Sequence, residues 1–460
     1  MIYLCNFNRK GGLTHMQQDL TQGSVLSNIR TFSPPYFLAY FLQALYGLAD
    51  LYFIGRFTGA AVITAVAAGS QVIHMFTVMT VGFAMASTVL IGRAVGAHND
   101  DGIRVAIGNS ITLFGCLALV FTVLLLALTR PLVSLLQIPA ASVPSAVTYL
   151  TICFAGIPFI VAYNVIAAVF RGLGDSKSPM WFVAIACITN IVLDYILIGP
   201  LHMGAAGAAL GTILAQAVSV LLSLAAMKVR QLGYRISLRD LAPDRNTMRL
   251  LLKIGVPVTL QEWFIQISFL LITVIANRRG VEIAAAVGIV EKIITFLFLV
   301  PSTMMATTSA LAAQNLGAGK RKRAEETLFW CMGIAAGIGA VFFVVCNLFP
   351  EFIVGRFSGE TAVVTYGSQY LRSYSIDCVI ASIQFCFSGF FTACGKSFLS
   401  FAHNAVSIVT ARVPGALFAS IHWPETLFPM GLAAPSGSLI SVVICVAAFL
   451  YLRRRVPPEL

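Results

Sequence analysis

Long apolar runs separated by short polar segments are the dominant pattern along this chain. Each of the twelve runs is bounded by charged residues or by Pro and Gly, and each is long enough to cross a bilayer as a helix of roughly 20 residues. The pattern predicts an all-α polytopic membrane protein with twelve transmembrane helices. The predicted spans are 33–56, 62–92, 104–129, 146–170, 178–200, 204–227, 252–277, 284–314, 325–349, 365–391, 397–420 and 431–452.

The composition agrees with this pattern. Of the 460 residues, 58% are hydrophobic and 10% are charged, against roughly 25% charged residues in soluble domains. This excludes a soluble enzyme, a disordered protein and a coiled coil. The 10 cysteines form no CxxC pair and are expected to be small buried residues. Because no early apolar segment marks a signal peptide, we expect the first span to be an uncleaved anchor, with Met16 as an alternative start.

The net charge of +12 is explained by topology. With the N-terminus inside, 22 of the 30 Lys and Arg residues fall on the predicted cytoplasmic side, six fall on the opposite side and two lie within spans. Membrane proteins keep basic residues in the cytoplasm, so the excess requires no nucleic-acid partner. Both termini are predicted to be cytoplasmic. Arg171 is counted on the cytoplasmic side, and Arg412 is the only arginine counted within a span.

The chain also resembles itself at an offset of 221 residues. Val95-Gly96-Ala97 matches Leu316-Gly317-Ala318, and Tyr149-Leu150 matches Tyr370-Leu371. Since the offset covers six spans, both halves enter the membrane in the same direction, which is one of the two repeat arrangements of transporters. This predicts two pseudo-symmetric six-helix lobes around a central cavity, and it favours a transporter over a channel. The predicted divisions are a cytoplasmic segment 1–32, a first lobe 33–227, a cytoplasmic linker 228–251, a second lobe 252–452 and a cytoplasmic tail 453–460.

Acidic side chains inside spans are the candidate functional residues, because a carboxylate at the bilayer centre costs roughly 2.5–3.5 kcal/mol. Asp50 and Asp194 both lie about 9 Å below the outer boundary at the helical rise per residue. Asn190 shares the helix face of Asp194, and Thr212 lies at a similar depth. Together they predict a cluster that binds either a shared proton or Na⁺ through hard oxygen ligands. The alternative is that one acid only hydrogen-bonds a neighbouring helix.

Three further acids, Glu262, Glu291 and Asp377, lie in the second lobe. The repeat does not copy Asp50 or Asp194 there, so one lobe is expected to be specialised for coupling. Glu262 lies near the inner end of its span and Asp377 near the outer end of its own. A shared second ion site is therefore the weaker alternative to separate roles as cavity acids or buried hydrogen-bonding groups. Glu291 is a candidate for attracting a cationic substrate.

Four motifs carry a resemblance to a known family. They are Leu48-Ala49-Asp50-Leu51-Tyr52-Phe53-Ile54-Gly55-Arg56, Arg171-Gly172-Leu173-Gly174-Asp175, Gly255-Val256-Pro257 and Gln314-Asn315-Leu316-Gly317-Ala318-Gly319-Lys320. In this order the chain resembles the multidrug and toxic compound extrusion (MATE) family of cation-coupled antiporters. The resemblance implies that Asp50, Asn190, Asp194 and Thr212 match the coupling-ion site of its archaeal and related branch. Other members use acids in helices 7 and 10, which Glu262 and Asp377 resemble at a shift of about one turn.

The resemblance implies a non-enzymatic antiporter of a bacterial cell membrane. It would export amphipathic, often cationic organic compounds by alternating access as a monomer surrounded by lipid, with H⁺ or Na⁺ as the coupling ion and no other cofactor. A lipid-linked oligosaccharide flippase of the same superfamily is the alternative, although its cavity would be expected to carry more basic residues. A membrane enzyme is disfavoured because paired histidines, metal-ligand spacing and a nucleophile motif are absent from the sequence. An ATP-driven pump is disfavoured because Gly395-Lys396-Ser397 lacks the preceding glycine of a phosphate-binding loop.

Overall fold

The computed structural model describes residues 19–229, 237 and 239–455. The predictions that concern residues 1–18, 230–236, 238 and 456–460, including Met16 and Cys5, lie outside the described residues. Within the described part the backbone is helical, and no strand occurs there. The α-helices are α1 Val25–Phe57, α2 Ala60–Gly96, α3 Asp100–Leu135, α4 Val143–Ala155, α5 Ile157–Gly172, α6 Lys177–Ile198, α7 Gly204–Val229, α8 Arg245–Asn277, α9 Val281–Leu297, α10 Leu299–Gly317, α11 Arg321–Leu348, α12 Pro350–Gly355, α13 Thr361–Tyr374, α14 Asp377–Ala393, α15 Ser397–Ser407, α16 Val413–His422, α17 Phe428–Gly431 and α18 Ala433–Arg455.

Twelve membrane spans emerge from these helices. Ten stretches of the described chain are each long and apolar enough to cross a bilayer, and two bent pairs bring the number to 12. One pair is α4 with α5, bent by 44°, and the other is α13 with α14, bent by 43°. Gly156 at the first bend and Asp377 at the second are separated by the repeat offset of 221 residues. The prediction of twelve spans is therefore confirmed. The fourth span of each lobe is bent at the matching position.

The first span is longer than the sequence predicts. It begins at Val25, eight residues before the predicted start, and it contains Pro34 and Pro35. Proline inside a helix removes a backbone hydrogen bond and usually ends or kinks the helix. Here Val25 and Ile29 are buried against the second lobe, so tertiary packing keeps the extra turns helical.

The cores show where the two lobes meet. One buried cluster, which includes Leu150 and Phe154, contains residues of the first lobe alone, and another, which includes Leu371, contains residues of the second lobe alone. A third cluster joins the lobes and packs residues such as Ile29 of α1 against Leu311 of α10. The lobes therefore have separate cores and share a further one along α1, α2, α8 and α10.

Both described chain ends lie on one face of the molecule, which we call the terminal face. Lys320 Nζ donates to the Thr21 carbonyl oxygen at 2.9 Å, and Arg323 Nη1 donates to the Gly23 carbonyl oxygen at 2.7 Å. Beside them, Arg321 Nη2 donates to the Leu452 carbonyl oxygen at 3.2 Å. The segment before α1 and the end of α18 thus contact the same helix, α11, as an even number of spans requires.

A reciprocal pair of hydrogen bonds, which we call the terminal lock, joins the lobes near the terminal face. Arg93 of the first lobe donates through Nε at 2.9 Å and Nη2 at 2.5 Å to the carbonyl oxygen of Ala393. Gln314 of the second lobe donates through Nε2 at 3.0 Å to the carbonyl oxygen of Gly172. Donors and acceptors are each related by the offset of 221 residues, so the repeat itself builds the lock.

Two matched glycines let the helices approach at the lock. A Cβ on Gly96 would overlap the backbone oxygen of Gln314, and a Cβ on Gly317 would overlap the backbone oxygen of Arg93. Because a backbone atom cannot rotate away, only glycine fits at either position. The two lobes therefore approach each other closely at these glycines.

Candidate functional site

The four residues predicted to form a cluster do meet inside the first lobe. Asp50 lies on α1, Asn190 and Asp194 lie on α6, and Thr212 lies on α7. The exposed fractions of Asp50, Asn190 and Asp194 are 7%, 1% and 0%. These values place an amide and two carboxyl groups away from solvent between three helices. We call this group the carboxylate cluster.

The side chains of the cluster contact one another directly. Thr212 Oγ1 lies 3.2 Å from Asp50 Oδ2 and also donates to the Ala208 carbonyl oxygen at 3.1 Å. The side chains of Asp194 and Asn190 lie beside the Asp50 carboxyl, without a hydrogen bond to it among the described residues. Two adjacent carboxylates repel each other unless a proton or a cation lies between them. An arrangement of this kind suits a bound proton or cation.

Five polar atoms of the cluster have no hydrogen-bond partner among the described residues. They are Asp50 Oδ1, both side-chain polar atoms of Asn190 and both carboxyl oxygens of Asp194. A buried polar group without a partner costs about 1–3 kcal/mol, and a charged one costs more. A concentration of unpaired atoms at one place is a property expected of a site for an exchangeable proton or cation.

The oxygen atoms present suit a hard cation as well as a proton. The two aspartates supply two oxygens each, and Asn190 and Thr212 supply one each. Carboxylate, amide and hydroxyl oxygens select hard cations over transition metals. The described residues contain no group of three or more His, Cys, Asp or Glu side chains that could hold a metal ion.

Gly211 provides the space in which Asp194 lies. A Cβ at this position would overlap Asp194 Oδ1 and would stand 3.3 Å from its Cγ and 3.6 Å from Asn190 Nδ2. Helix α7 therefore presents a bare backbone surface to the two α6 side chains, next to Thr212. The sequence analysis did not single out Gly211, although it directly precedes Thr212.

Two more polar residues extend the cluster toward the middle of the membrane. Gln216 Nε2 donates to the Tyr46 hydroxyl at 3.4 Å, and Gln216 Oε1 is buried without a partner in the described part. Tyr46 precedes Asp50 by four residues, and Gln216 follows Thr212 by four. That spacing places each on the same helix face as its neighbour, so the sequence contained a signal for both.

In the second lobe an arginine lies near two of the acids. Thr273 Oγ1 donates to Glu291 Oε2 at 3.1 Å, and Arg412 Nη2 donates to the Tyr374 hydroxyl at 2.7 Å. The charge of Arg412 lies close enough to act on both Glu291 and Asp377. Because an arginine cannot leave the site, this group has a permanent positive charge that the carboxylate cluster lacks. Glu291, which the sequence analysis considered for attracting a cationic substrate, lies within the electrostatic influence of this arginine.

Glu262 lies apart from the other acids of its lobe. No hydrogen bond or ion pair in the described part joins Glu262 to Asp377, so the alternative of one ion site shared by these two residues is not assembled here. Glu262 instead lines a cavity between the lobes. The weaker of the two sequence expectations, a shared site, therefore receives no geometric support, and a role as a cavity acid does.

The central cavity has an empty volume of about 450 Å³. Its lining includes two tyrosines, two methionines, an arginine and a glutamate: Tyr36, Tyr40, Met85, Met305, Arg171 and Glu262. Arg171, which the sequence analysis counted on the cytoplasmic side, contributes its side chain to this cavity. It lies in the last turn of α5, and its side chain turns back into the protein, where Nη1 donates to the Tyr36 hydroxyl and Nε donates to the Ala167 carbonyl oxygen at 3.1 Å.

Twelve spans in two repeated lobes, with a cavity between the lobes and a buried carboxylate pair in one of them, define a membrane transporter. The MatE family model matches this chain twice, over residues 35–196 and 257–418. The chain belongs to the MatE family, and the two matches fall on the two halves of the internal repeat. The resemblance inferred from the four motifs is confirmed.

Individual relatives agree with this assignment. The chain is 30% identical over 437 residues to the probable multidrug resistance protein YpnP of Bacillus subtilis (strain 168), covering 95% of this chain and 96% of that protein. It is 24% identical to the probable multidrug resistance protein NorM of Thermotoga maritima, covering 88% of this chain and 86% of that protein.

Solved structures confirm the fold. A MATE protein crystallised in a straight conformation superposes with a TM-score of 0.88 at 23% identity, covering 95% of this chain and 97% of that chain. The same kind of protein in a bent conformation gives a TM-score of 0.87 at 24% identity. The predicted fold class, an all-α polytopic membrane protein with twelve transmembrane helices in two lobes, is confirmed.

Proposed function

We propose that this protein is an antiporter that exports amphipathic, often cationic organic compounds in exchange for H⁺ or Na⁺. The observation that carries the proposal is the carboxylate cluster, with five buried polar atoms that lack partners. A site of this kind binds a small cation when it is available and releases it when the surroundings change. The relatives named above are multidrug resistance proteins, which favours drugs over lipid-linked oligosaccharides as the exported compounds.

The terminal lock supports an alternating-access mechanism. It closes the end of the central cavity that faces the terminal face, through contacts between α2 and α10 and the hydrogen bonds of Arg93 and Gln314. The excess of basic residues assigns the terminal face to the cytoplasm of a bacterial cell. In this arrangement the cavity is closed on the cytoplasmic side, and cation binding to the first lobe drives release of the exported compound outward.

The test is gradient-driven efflux of ethidium from cells or vesicles under an imposed ΔpH or ΔNa⁺. Asp50→Asn and Asp194→Asn are expected to abolish gradient-driven efflux because each removes one carboxylate of the cluster. Asp101→Asn, which changes an exposed acid paired with Arg104, is the matched control and should export normally. Full efflux by both cluster variants would refute the coupling site, and transport of lipid-linked sugar without ethidium would favour the flippase.

A further inference from the structure

Two opposite charges line the central cavity, one from each lobe. Arg171 comes from α5 and Glu262 comes from α8, and both are only partly buried. Neither forms an ion pair with a residue in the described part of the chain. The Tyr40 side chain is within electrostatic range of both charges. The cavity therefore presents a cation and an anion that a bound molecule, rather than the protein, can neutralise.

The repeat does not explain either charge. An offset of 221 residues places Thr392 opposite Arg171 and Phe41 opposite Glu262. The terminal lock and the bent fourth helix of each lobe follow the repeat, so features of the shared scaffold are duplicated. An unduplicated pair of charges on the cavity wall is better explained by what the cavity binds.

Arg171 and the two neighbouring tyrosines have hydrogen-bond donors that no residue in the described part accepts. Arg171 uses Nη1 and Nε for Tyr36 and Ala167, and Nη2 has no partner among the described residues. The hydroxyl groups of Tyr36 and Tyr40 lie 3.3 Å apart. Arginine has no acceptor atom, so only one of the two phenol protons can be satisfied within this chain of hydrogen bonds. Whichever tyrosine donates to the other, one phenol proton is left for a ligand.

Resting on the proposed export function, we propose that the cavity selects zwitterionic amphipathic compounds, with a carboxylate on Arg171 and a cationic group on Glu262. The free guanidinium nitrogen and the spare phenol proton give the carboxylate two donors, one of them charged. Met85 and Met305 supply an adaptable apolar wall for the rest of the molecule.

Rhodamine B and its ethyl ester form a matched pair of probes. The first is a zwitterion, and the second is a cation that differs only in its blocked carboxylate. Binding to the purified full-length protein in lipid nanodiscs is measured by fluorescence anisotropy. We expect rhodamine B to bind about tenfold more tightly than the ester, because a hydrogen-bonded contact with a charged group is lost in the ester.

Two variants assign this preference to the proposed residues. Arg171→Gln is expected to remove the preference by weakening rhodamine B alone, and Glu262→Gln is expected to weaken both dyes. Arg171→Lys, which keeps the charge without the planar fork, should retain part of the preference and shows that the site is folded. Arg104→Gln, a change at an exposed arginine, is the control that leaves both affinities unchanged.

Equal affinities of the wild-type protein for the two dyes would overturn the inference, as would an equal loss of both affinities in Arg171→Gln or the absence of measurable binding by either dye. These outcomes are distinct from failure of the proposed function. If the wild-type protein shows no gradient-driven ethidium efflux, the export function is refuted. If it exports ethidium but binds rhodamine B no more tightly than the ester, only the zwitterion selectivity is refuted.

Discussion

Gly211→Ala tests the carboxylate cluster without changing any charge. The added methyl group would overlap Asp194 Oδ1 and would stand 3.3 Å from Asp194 Cγ. The overlap can be relieved by turning Asp194 away from its preferred rotamer, at about 0.5–1.5 kcal/mol, or by separating α6 from α7, at about 1–3 kcal/mol for overpacking. Either response moves Asp194 relative to Asp50 and Thr212.

If this cost falls on the ion-bound geometry, it weakens binding of the coupling ion by about 2- to 150-fold. The assay measures the H⁺ or Na⁺ concentration that gives half-maximal ethidium efflux from vesicles. The half-maximal concentration should rise for Gly211→Ala. It should not change for Gly47→Ala, because a Cβ at Gly47 on α1 meets no atom within 4 Å. An unchanged half-maximal concentration in Gly211→Ala would show that the cation does not bind against Asp194.

Three further predictions concern other parts of the molecule. Gly96→Ala should loosen the terminal lock, because the added Cβ overlaps the backbone oxygen of Gln314. Amide hydrogen exchange at the end of α10 should then become faster, and unchanged exchange would contradict the close approach of the two lobes. The hydrogen bond from the backbone N–H of Thr247 holds the pKa of Asp244 below its usual range. This cap of α8 therefore stabilises the folded protein at pH values above the ordinary pKa of aspartate, and the stabilisation is lost as the pH falls through the lowered pKa. Asp244→Ala should therefore lower Tm at neutral pH, and the difference from wild type should vanish in strong acid. Arg412→Gln should lower Tm by removing the positive charge beside two buried acids, and a wild-type Tm would argue against that role.

The fold was predictable because its main determinant is local and periodic. Twelve apolar runs specify twelve spans, and a fixed offset of 221 residues specifies two parallel lobes. The sequence analysis missed the bends at Gly156 and before Asp377, although Pro158 in the first turn of α5 and the polar Ser375 and Asp377 were signals for them. The early start of α1 was also missed, since Pro34 and Pro35 oppose a helix that only contacts with the other lobe maintain.

The candidate site was predictable where depth and helical spacing determine it. Counting residues from the ends of spans was enough to place Asp50, Asn190, Asp194 and Thr212 together. The contribution of Arg171 to the cavity was missed because sequence position gives the end of a helix and not the direction of a long side chain, which here turns back to Tyr36.

The separation of Glu262 from Asp377 was indicated by their unequal depths. The neighbourhood of Arg412, Glu291 and Asp377 was not indicated, because it depends on how three helices pack in the second lobe.

Ion movement coupled to drug movement is the most direct test of the carboxylate cluster. In liposomes containing the purified protein and H⁺- and Na⁺-sensitive dyes, an ethidium gradient should drive one of these cations in the opposite direction. Asp50→Asn and Asp194→Asn should each abolish this ion movement, whereas Asp377→Asn in the second lobe should retain it. Undiminished ion movement in both first-lobe variants would contradict the assignment of cation coupling to Asp50 and Asp194.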